Sequence, residues 1–354
     1  VSPLFKPSGS SSGTSQKLSH ARRLSVAPMM DWTTRHCRYF HRLLAPDALL
    51  FTEMVTAEAI LHAGPKRFCQ FDASEHPLAL QLGGADAERL AAAVAAVGPF
   101  GFDEINLNVG CPSDRVQSGR FGACLMAEPD LVAGLVRAMQ AETDLPVTVK
   151  CRIGIDDMDA EEGLDRFIDI VGGAGATVIY LHARKAWLNG LSPKENRDIP
   201  PLDYDRAARL ALRCPELDII LNGGLTDSDQ IADAILPLNE TYGSAVFAGV
   251  MVGRSAYQTP DRLADMAADY FGHPSADRYD VLQAMTLYAA AQMQDGIPLH
   301  AITRHMLGLF HGKKGARLWR QRLGEEARKE GISADLILTA ASSCLSLLST
   351  ERVA

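Results

Sequence analysis

The chain has 354 residues, 47% hydrophobic and 22% charged, with a formal net charge of −8. That composition describes a soluble globular protein with a large core and room for a second, smaller domain, and no apolar run of about 18 residues offers a membrane span. The seven cysteines are scattered with no C-x-x-C pair, which argues against a disulfide framework or a zinc cluster, predicts no metal, and fits a reducing cytoplasm.

Residues 1–23 are rich in Ser and Gly and lack the apolar stretch of a secretory signal, so they read as a mobile tail. Short apolar, β-branched runs then alternate with helical patterns. Candidate strands are Leu24–Met29, Leu49–Met54, Leu78–Leu82, Glu104–Val109, Val147–Arg152, Thr177–His182, Asp218–Asn222 and Ala245–Val252. Helical stretches between them include Ala87–Val97, Leu131–Ala141, Glu161–Val171 and Asp227–Leu236. Eight strand–helix units predict an α/β fold, a (β/α)8 TIM barrel over residues 24–260. A doubly wound sheet would place a Gly-x-Gly-x-x-Gly turn after its first strand, and Val26-Ala27-Pro28-Met29-Met30 has none. Residues 261–354 carry no strand signal. They read as a smaller all-helical domain, with helices near Arg262–Phe271, Asp280–Gln294, Ile302–Leu309, Ala316–Lys329 and Ala334–Leu348.

Chemistry gathers at the strand ends, the working face of such a barrel. Glu104–Val109 runs into Gly110-Cys111-Pro112. Proline lacks an N–H and holds the preceding residue extended, so Cys111 is presented on a stiff turn. Taken alone, a cysteine is most often a small buried hydrophobe. Asn222-Gly223-Gly224 follows the seventh candidate strand and Gly253-Arg254 the eighth, where barrels bind phosphate. Glycine lets backbone N–H groups approach the oxygens, and arginine adds charge-assisted bonds.

Glu53, Gln81, Asn106, Asn108, Lys150, Arg152, His182 and Arg184 stand where strands open into the mouth. A buried lysine needs an anionic or electron-rich partner. Lys150 therefore reads in three ways: as a cation beside an electron-rich ring, as a Schiff-base lysine, or as the ion-pair partner of Glu53. His182 alone reads equally as a satisfied core histidine. Together these groups suit flavin mononucleotide. Its phosphate would sit in loops seven and eight, with Gln81 and Lys150 at the polar edge of the ring, where a cation favours the reduced anion.

Charge is segregated along the chain. The windows 1–30 (Lys6, Lys17, Arg22, Arg23), 181–197 (Arg184, Lys185, Lys194, Arg197) and 301–324 (Arg304, Lys313, Lys314, Arg317, Arg320, Arg322) hold 14 of the 35 basic residues and one acidic residue, Glu195. An acidic body with basic segments can bind a polyanion locally, although three unrelated solvated faces give the same pattern.

The motifs Ala27-Pro28-Met29-Met30-Asp31-Trp32, Thr52-Glu53-Met54-Val55, Ala79-Leu80-Gln81-Leu82-Gly83-Gly84 and Asn106-Leu107-Asn108-Val109-Gly110-Cys111-Pro112-Ser113 closely resemble those of the tRNA-dihydrouridine synthases. So do Val147-Thr148-Val149-Lys150, His182-Ala183-Arg184-Lys185, Asn222-Gly223-Gly224 and Gly253-Arg254. The stretches 115–124, Leu191-Ser192-Pro193-Lys194-Glu195-Asn196-Arg197 and Thr303-Arg304-His305-Met306-Leu307-Gly308 resemble the bacterial A-type subfamily. The likeness runs from about Leu24 to Gly324. Thr34 departs from it, standing where the family often has aspartate, a local matter of helix capping.

The resemblance implies an enzyme that uses NADPH and FMN to reduce uridine in the 20/20a region of the tRNA D-loop to dihydrouridine. It implies that Pro28, Met29, Met30, Gln81, Lys150, His182, Asn222, Gly223, Gly224, Gly253 and Arg254 hold the flavin. Reduced flavin would give hydride to C6 of the uracil while Cys111 protonates C5. Asn108, Lys194, Arg197, Arg317 and Arg320 would contact tRNA, with Asn108 nearest the base. The expected partner is tRNA and the expected state a monomer without metal or membrane attachment. Three rival readings remain: a dihydroorotate dehydrogenase-like barrel acting on a free pyrimidine, an aldolase-type barrel using Lys150, and a non-catalytic RNA-binding protein.

Overall fold

The apolar β-branched runs do form strands, because each is short, bounded by turn residues and rich in side chains that pack well on a pleated surface. The computed structural model describes residues 3–7, 14–113 and 119–351. Its strands are β1 (Leu24–Val26), β2 (Leu50–Thr56), β3 (Leu78–Gly83), β4 (Glu104–Val109), β5 (Val147–Arg152), β6 (Val178–His182), β7 (Asp218–Asn222) and β8 (Gly249–Val252). All neighbours are parallel, in the order β1-β8-β7-β6-β5-β4-β3-β2. A bridge between Ser25 and Leu49, with Val26 N–H donating to Leu49 O at 2.9 Å, brings the two ends of the sheet together. Parallel strands need covered faces, and the helices between them supply the cover.

Several boundaries differ from those read in the sequence, each for a local reason. β1 stops before Pro28, which has no N–H for the ladder. β8 begins only at Gly249, where a Cβ would lie 2.1 Å from Arg22 O, so the chain entering β1 passes where a side chain would stand. β2 runs on to Thr56, whose hydroxyl accepts from Ala59 N–H at 3.1 Å and caps the next helix. At the position that departs from the family, Thr34 still caps helix Arg35–Leu44 through Cys37 N–H, and its hydroxyl lies 2.9 Å from His305 Nε2.

The core has two shells. The larger one lies between barrel and helices. The smaller one fills the barrel and contains Phe51, Ala79, Tyr180, Ile220 and Met251, with the rings of Phe51 and Tyr180 edge to face at 5.0 Å. Leu18 and Ala21 belong to this inner cluster. They come from helix Thr14–Ala21, which lies within the stretch expected to be a mobile tail. That expectation does not describe residues 14–23. A few apolar or small residues in a short basic segment gave composition little to register. Two of the four basic residues of this window are taken up within the fold: Arg22 is buried against Glu104, and Lys6 Nζ donates to Ala211 O at 3.3 Å.

Helix Pro260–Phe271, assigned from sequence to the helical region, packs on helices Arg35–Leu44 and Ser228–Tyr242 and on β1, completing the ring around the barrel. The remaining helices are Arg278–Gln294, Leu299–Thr303, Ala316–Glu325 and Leu336–Glu351. The expected helix Ile302–Leu309 ends at Thr303. Its Gly308 instead meets the chain after β8, where a Cβ would fall 2.3 Å from Gln258 O. Tyr39 stacked on Tyr288 at 3.9 Å, and His36 Nδ1 at 2.7 Å from Tyr288 OH, fasten this region to the barrel. No described helix is long and apolar enough to cross a membrane.

Candidate active site

At the C-terminal ends of the strands the structure forms a cavity of about 650 Å³, within the range of small-molecule and cofactor sites. Pro28, Met29, Met30, Gln81, Lys150, His182, Asn222, Gly223, Gly224, Gly253 and Arg254 all line it, together with Asn108, Cys111 and Arg197. Its lining includes five basic side chains, Lys150, Arg152, Arg197, Arg254 and Arg262, and no Asp or Glu. Arg254 and Arg262 also pair with carboxylates outside the lining, Asp198 at 2.7 Å and Asp227 at 3.2 Å, which leaves Lys150, Arg152 and Arg197 to favour an anion. Lys194 stands exposed on the same loop as Arg197, and Arg317 and Arg320 are exposed on helix Ala316–Glu325, outside the cavity lining. Residues 115–118 of the stretch that resembles the A-type subfamily lie, with residue 114, outside the described residues.

The β1 loop is held by its own polar atoms. Met29 N–H donates to Thr33 Oγ1 at 3.0 Å, Trp32 N–H to Met29 O at 3.1 Å, and Asp31 N–H to Glu53 Oε1 at 2.6 Å. Glu53 is therefore engaged here rather than paired with Lys150. The Lys150 ammonium instead donates to Asn222 Oδ1 at 3.0 Å, while Asn222 Nδ2 donates to Met251 O at 2.7 Å. Burial, with Arg152 adding to it, pushes the Lys150 ammonium down to about 8. His182 is driven well below the ordinary histidine range by burial, then by Arg152 and Lys150, so its ring is neutral. Its Nδ1 is buried and has no hydrogen-bond partner among the described residues.

The two glycines after β7 are required. Gly223 has φ 112° and Gly224 φ 72°, conformations that L side chains rarely adopt. A Cβ on Gly224 would lie 2.6 Å from Leu202 Cδ1, and one on Gly223 3.1 Å from His182 Cε1. The cavity wall is thus bare backbone at this point, next to an orphaned imidazole nitrogen and several arginines. These features fit a phosphate-bearing cofactor, and the Gln81–Lys150 side of the same cavity offers donors to the polar edge of a ring.

Cys111 stands half-buried in the cavity lining, its thiol donating weakly to Ser113 Oγ at 3.5 Å. The Asn108 side-chain oxygen accepts from both Gly110 N–H (3.1 Å) and Cys111 N–H (3.0 Å) and so fixes the turn. Sequence reading placed Arg152 at the mouth but gave it no work. Its guanidinium donates to Gly110 O, Lys185 O and Asn196 O, each at 3.0 Å, and ties the cysteine turn to the loop after β6. Asn196 is fully buried and pins that loop through Trp187 and Leu191.

The family model described as Dihydrouridine synthase (Dus) matches residues 25–343. The chain belongs to the dihydrouridine synthase family. It is 55% identical over 315 residues to a tRNA-dihydrouridine(20/20a) synthase of Xanthomonas campestris pv. campestris, spanning 89% of this chain and 91% of that protein. It is 51% identical over 323 residues to the protein of the same name from Vibrio parahaemolyticus, spanning 90% and 96%, and 52% identical over 318 residues to that of Shewanella oneidensis, spanning 89% and 92%. Among solved structures, morphinone reductase is similar with a TM-score of 0.50 at 12% identity, over 73% of this chain and 88% of that one. That likeness agrees with the barrel fold.

Proposed function

We propose that this dihydrouridine synthase reduces uridines in the 20/20a region of tRNA, with flavin mononucleotide in the barrel-mouth cavity and NADPH as reductant. The observation that carries the reading is convergence: thirteen of the residues implied by the resemblance to hold flavin, donate a proton or meet the base share one carboxylate-free cavity. The bound flavin supplies the hydride that saturates the C5=C6 bond.

The remaining roles belong to the chain. Gly223, Gly224, Gly253 and Arg254 would hold the phosphate, with His182 beside them, and Pro28, Met29 and Met30 would help to hold the cofactor. Lys150, oriented by Asn222, and Gln81 bond its polar edge. Cys111, on a turn that Asn108 and Arg152 hold still, gives the proton to C5 of the uracil. Asn108 meets the base, and Lys194, Arg197, Arg317 and Arg320 bind the tRNA. Taking a base out of its stack costs a few kcal/mol, which phosphate contacts offset.

The test is direct. Purified protein, NADPH and an unmodified tRNA transcript should give dihydrouridine at 20 or 20a, and tRNA from cells lacking the protein should lose it there. Reduction of free uracil or turnover of dihydroorotate without tRNA would favour the small-molecule barrel instead. A protein that neither carries nor takes up flavin would end the reading.

A further inference from the structure

A continuous line of hydrogen bonds crosses the barrel interior from the cysteine turn to the floor. Gly110 and Cys111 N–H donate to Asn108 Oδ1, and Asn108 Nδ2 donates to Gln81 Oε1 at 2.8 Å. Gln81 Nε2 donates to Asn106 Oδ1 at 2.8 Å, and Asn106 Nδ2 to Thr148 Oγ1 at 2.8 Å. Thr148 donates to Glu104 Oε1 at 2.6 Å. The Glu104 carboxylate also accepts from Tyr180 OH at 2.9 Å and from Arg22 at 2.6 and 3.0 Å. Every one of these side chains belongs to a residue at most 7% exposed.

The line has a direction, and both ends demand the same one. A carboxylate only accepts, so Thr148 must donate to Glu104 and offer its oxygen to Asn106. Each amide then passes the sense on by accepting with oxygen on one side and donating with nitrogen on the other. Three amides later, at Asn108, the group facing the turn is an oxygen. The two backbone N–H groups there require an acceptor.

We propose that Glu104, anchored by Arg22 and acting through Thr148 and Asn106, is a positioning residue that fixes the amide orientation of Gln81 and Asn108 and thereby the turn bearing Cys111. The assignment deepens the reading above, since it gives the floor of the barrel control over the group that donates the proton. Reversing the sense would turn the Asn108 nitrogen toward two N–H donors. Glu104→Gln removes the group that enforces the sense. Arg22 donates, so the new amide oxygen turns to Arg22 and its NH2 group faces Thr148. The Thr148 hydroxyl then loses its obligate acceptor and no longer holds the amides of Asn106, Gln81 and Asn108 in one orientation.

The measurement is the rate of iodoacetamide alkylation of Cys111, followed by peptide mass spectrometry in the full-length protein with and without saturating FMN. Cys214, buried beyond helix Tyr204–Arg213, reports any global opening. One hydrogen bond's net worth corresponds to a change of about three- to tenfold in the loosened population. Thr148→Val and Glu104→Gln should speed Cys111 by that factor and leave Cys214 slow. Thr148→Ser, which keeps the hydroxyl, should behave as wild type. If Thr148→Val is insoluble, Glu104→Gln carries the test alone. Wild-type rates in both variants, an equally fast Thr148→Ser, or a matching rise at Cys214 would overturn the proposal. Failure of the functional reading would show separately, as absent dihydrouridine from a wild-type protein whose alkylation pattern still follows the ladder.

Discussion

The Lys150 ammonium and the Asn222 side-chain oxygen lie 3.0 Å apart across the cavity wall, strand β5 to strand β7, with no carboxylate among the residues that line it. A neutral amide orients the cation without cancelling its charge, so the charge stays available to whatever occupies the cavity. An ion pair with Glu53 would have neutralised it.

Lys150→Met should therefore have opposite effects on the two forms of the protein. Replacing a half-buried cation that has no carboxylate partner by an apolar side chain of similar length removes its desolvation cost, so the flavin-free protein should hold or gain stability while flavin affinity falls. The pH dependence has a definite sign. Below about pH 8 the lysine is charged in folded and unfolded chains alike and its burial cost is in full force. Between 8 and the ordinary 10.5 the unfolded chain binds more protons, so flavin-free stability rises with pH. Urea unfolding of wild type and variant from pH 7 to 10 checks both. A Lys150→Met protein that loses stability without flavin would contradict the unpaired charge.

Cys111→Ala should keep bound flavin and its oxidation of NADPH, since the thiol's proposed work is on the base. Dihydrouridine formation in single-turnover assays should fall by about 10²–10⁴, the usual worth of a positioned proton transfer. Unchanged product formation would remove the cysteine from the chemistry.

Arg317 and Arg320 lie three residues apart on an exposed helix face, behind which Trp319 is fully buried with its indole N–H donating to Met306 O at 3.1 Å. Neither arginine forms an ion pair among the described residues, so both charges are free for a polyanion. Arg317→Ala with Arg320→Ala should weaken tRNA binding and flatten its log–log salt dependence by about 0.7 for each phosphate left without its cation, leaving flavin content intact. Wild-type affinity and slope would move the RNA to another face.

Acid should loosen the seam between the barrel and the helical region. His36 and His41 on helix Arg35–Leu44 are lowered to about 4, and His305 to about 3, chiefly by burial. Below about 6.5 the unfolded chain takes up protons that these rings refuse, so stability falls with pH, by up to about 1.4 kcal/mol per unit for each ring. Glu53 and Glu75, raised by burial, act with the opposite sign just above 4.5. Urea midpoints at pH 7.5, 6 and 5 should decrease in that order, and a flat profile would show the rings open to solvent.

Arg22→Ala should cost about 3–5 kcal/mol, because it leaves the Glu104 carboxylate buried without its cation. Such a loss, read as a urea midpoint, would be out of proportion for a residue in a Ser- and Gly-rich leader.

What the sequence determined by itself was whatever is local along the chain. Eight short apolar runs spaced by helices dictated the barrel, and Gly, Pro and polar residues at the run ends marked its working face, because strand period, turn chemistry and strand-end position are all written within a few neighbouring residues. Eight of the eleven cavity-lining positions, from Gln81 to Arg254, could be picked out in this way, and Pro28, Met29 and Met30 came from the family resemblance. Tertiary structure decided what depends on which strand meets which. Arg22 and Arg317 look alike as members of basic windows, yet one is sealed beneath the barrel and the other faces solvent. Glu104, Thr148 and Tyr180 read as ordinary strand residues and Asn106 as a group at the mouth, and only closure of the sheet, with its register, brings their polar atoms into one line. A hydrogen bond across a barrel joins residues tens of positions apart, and no local pattern encodes it.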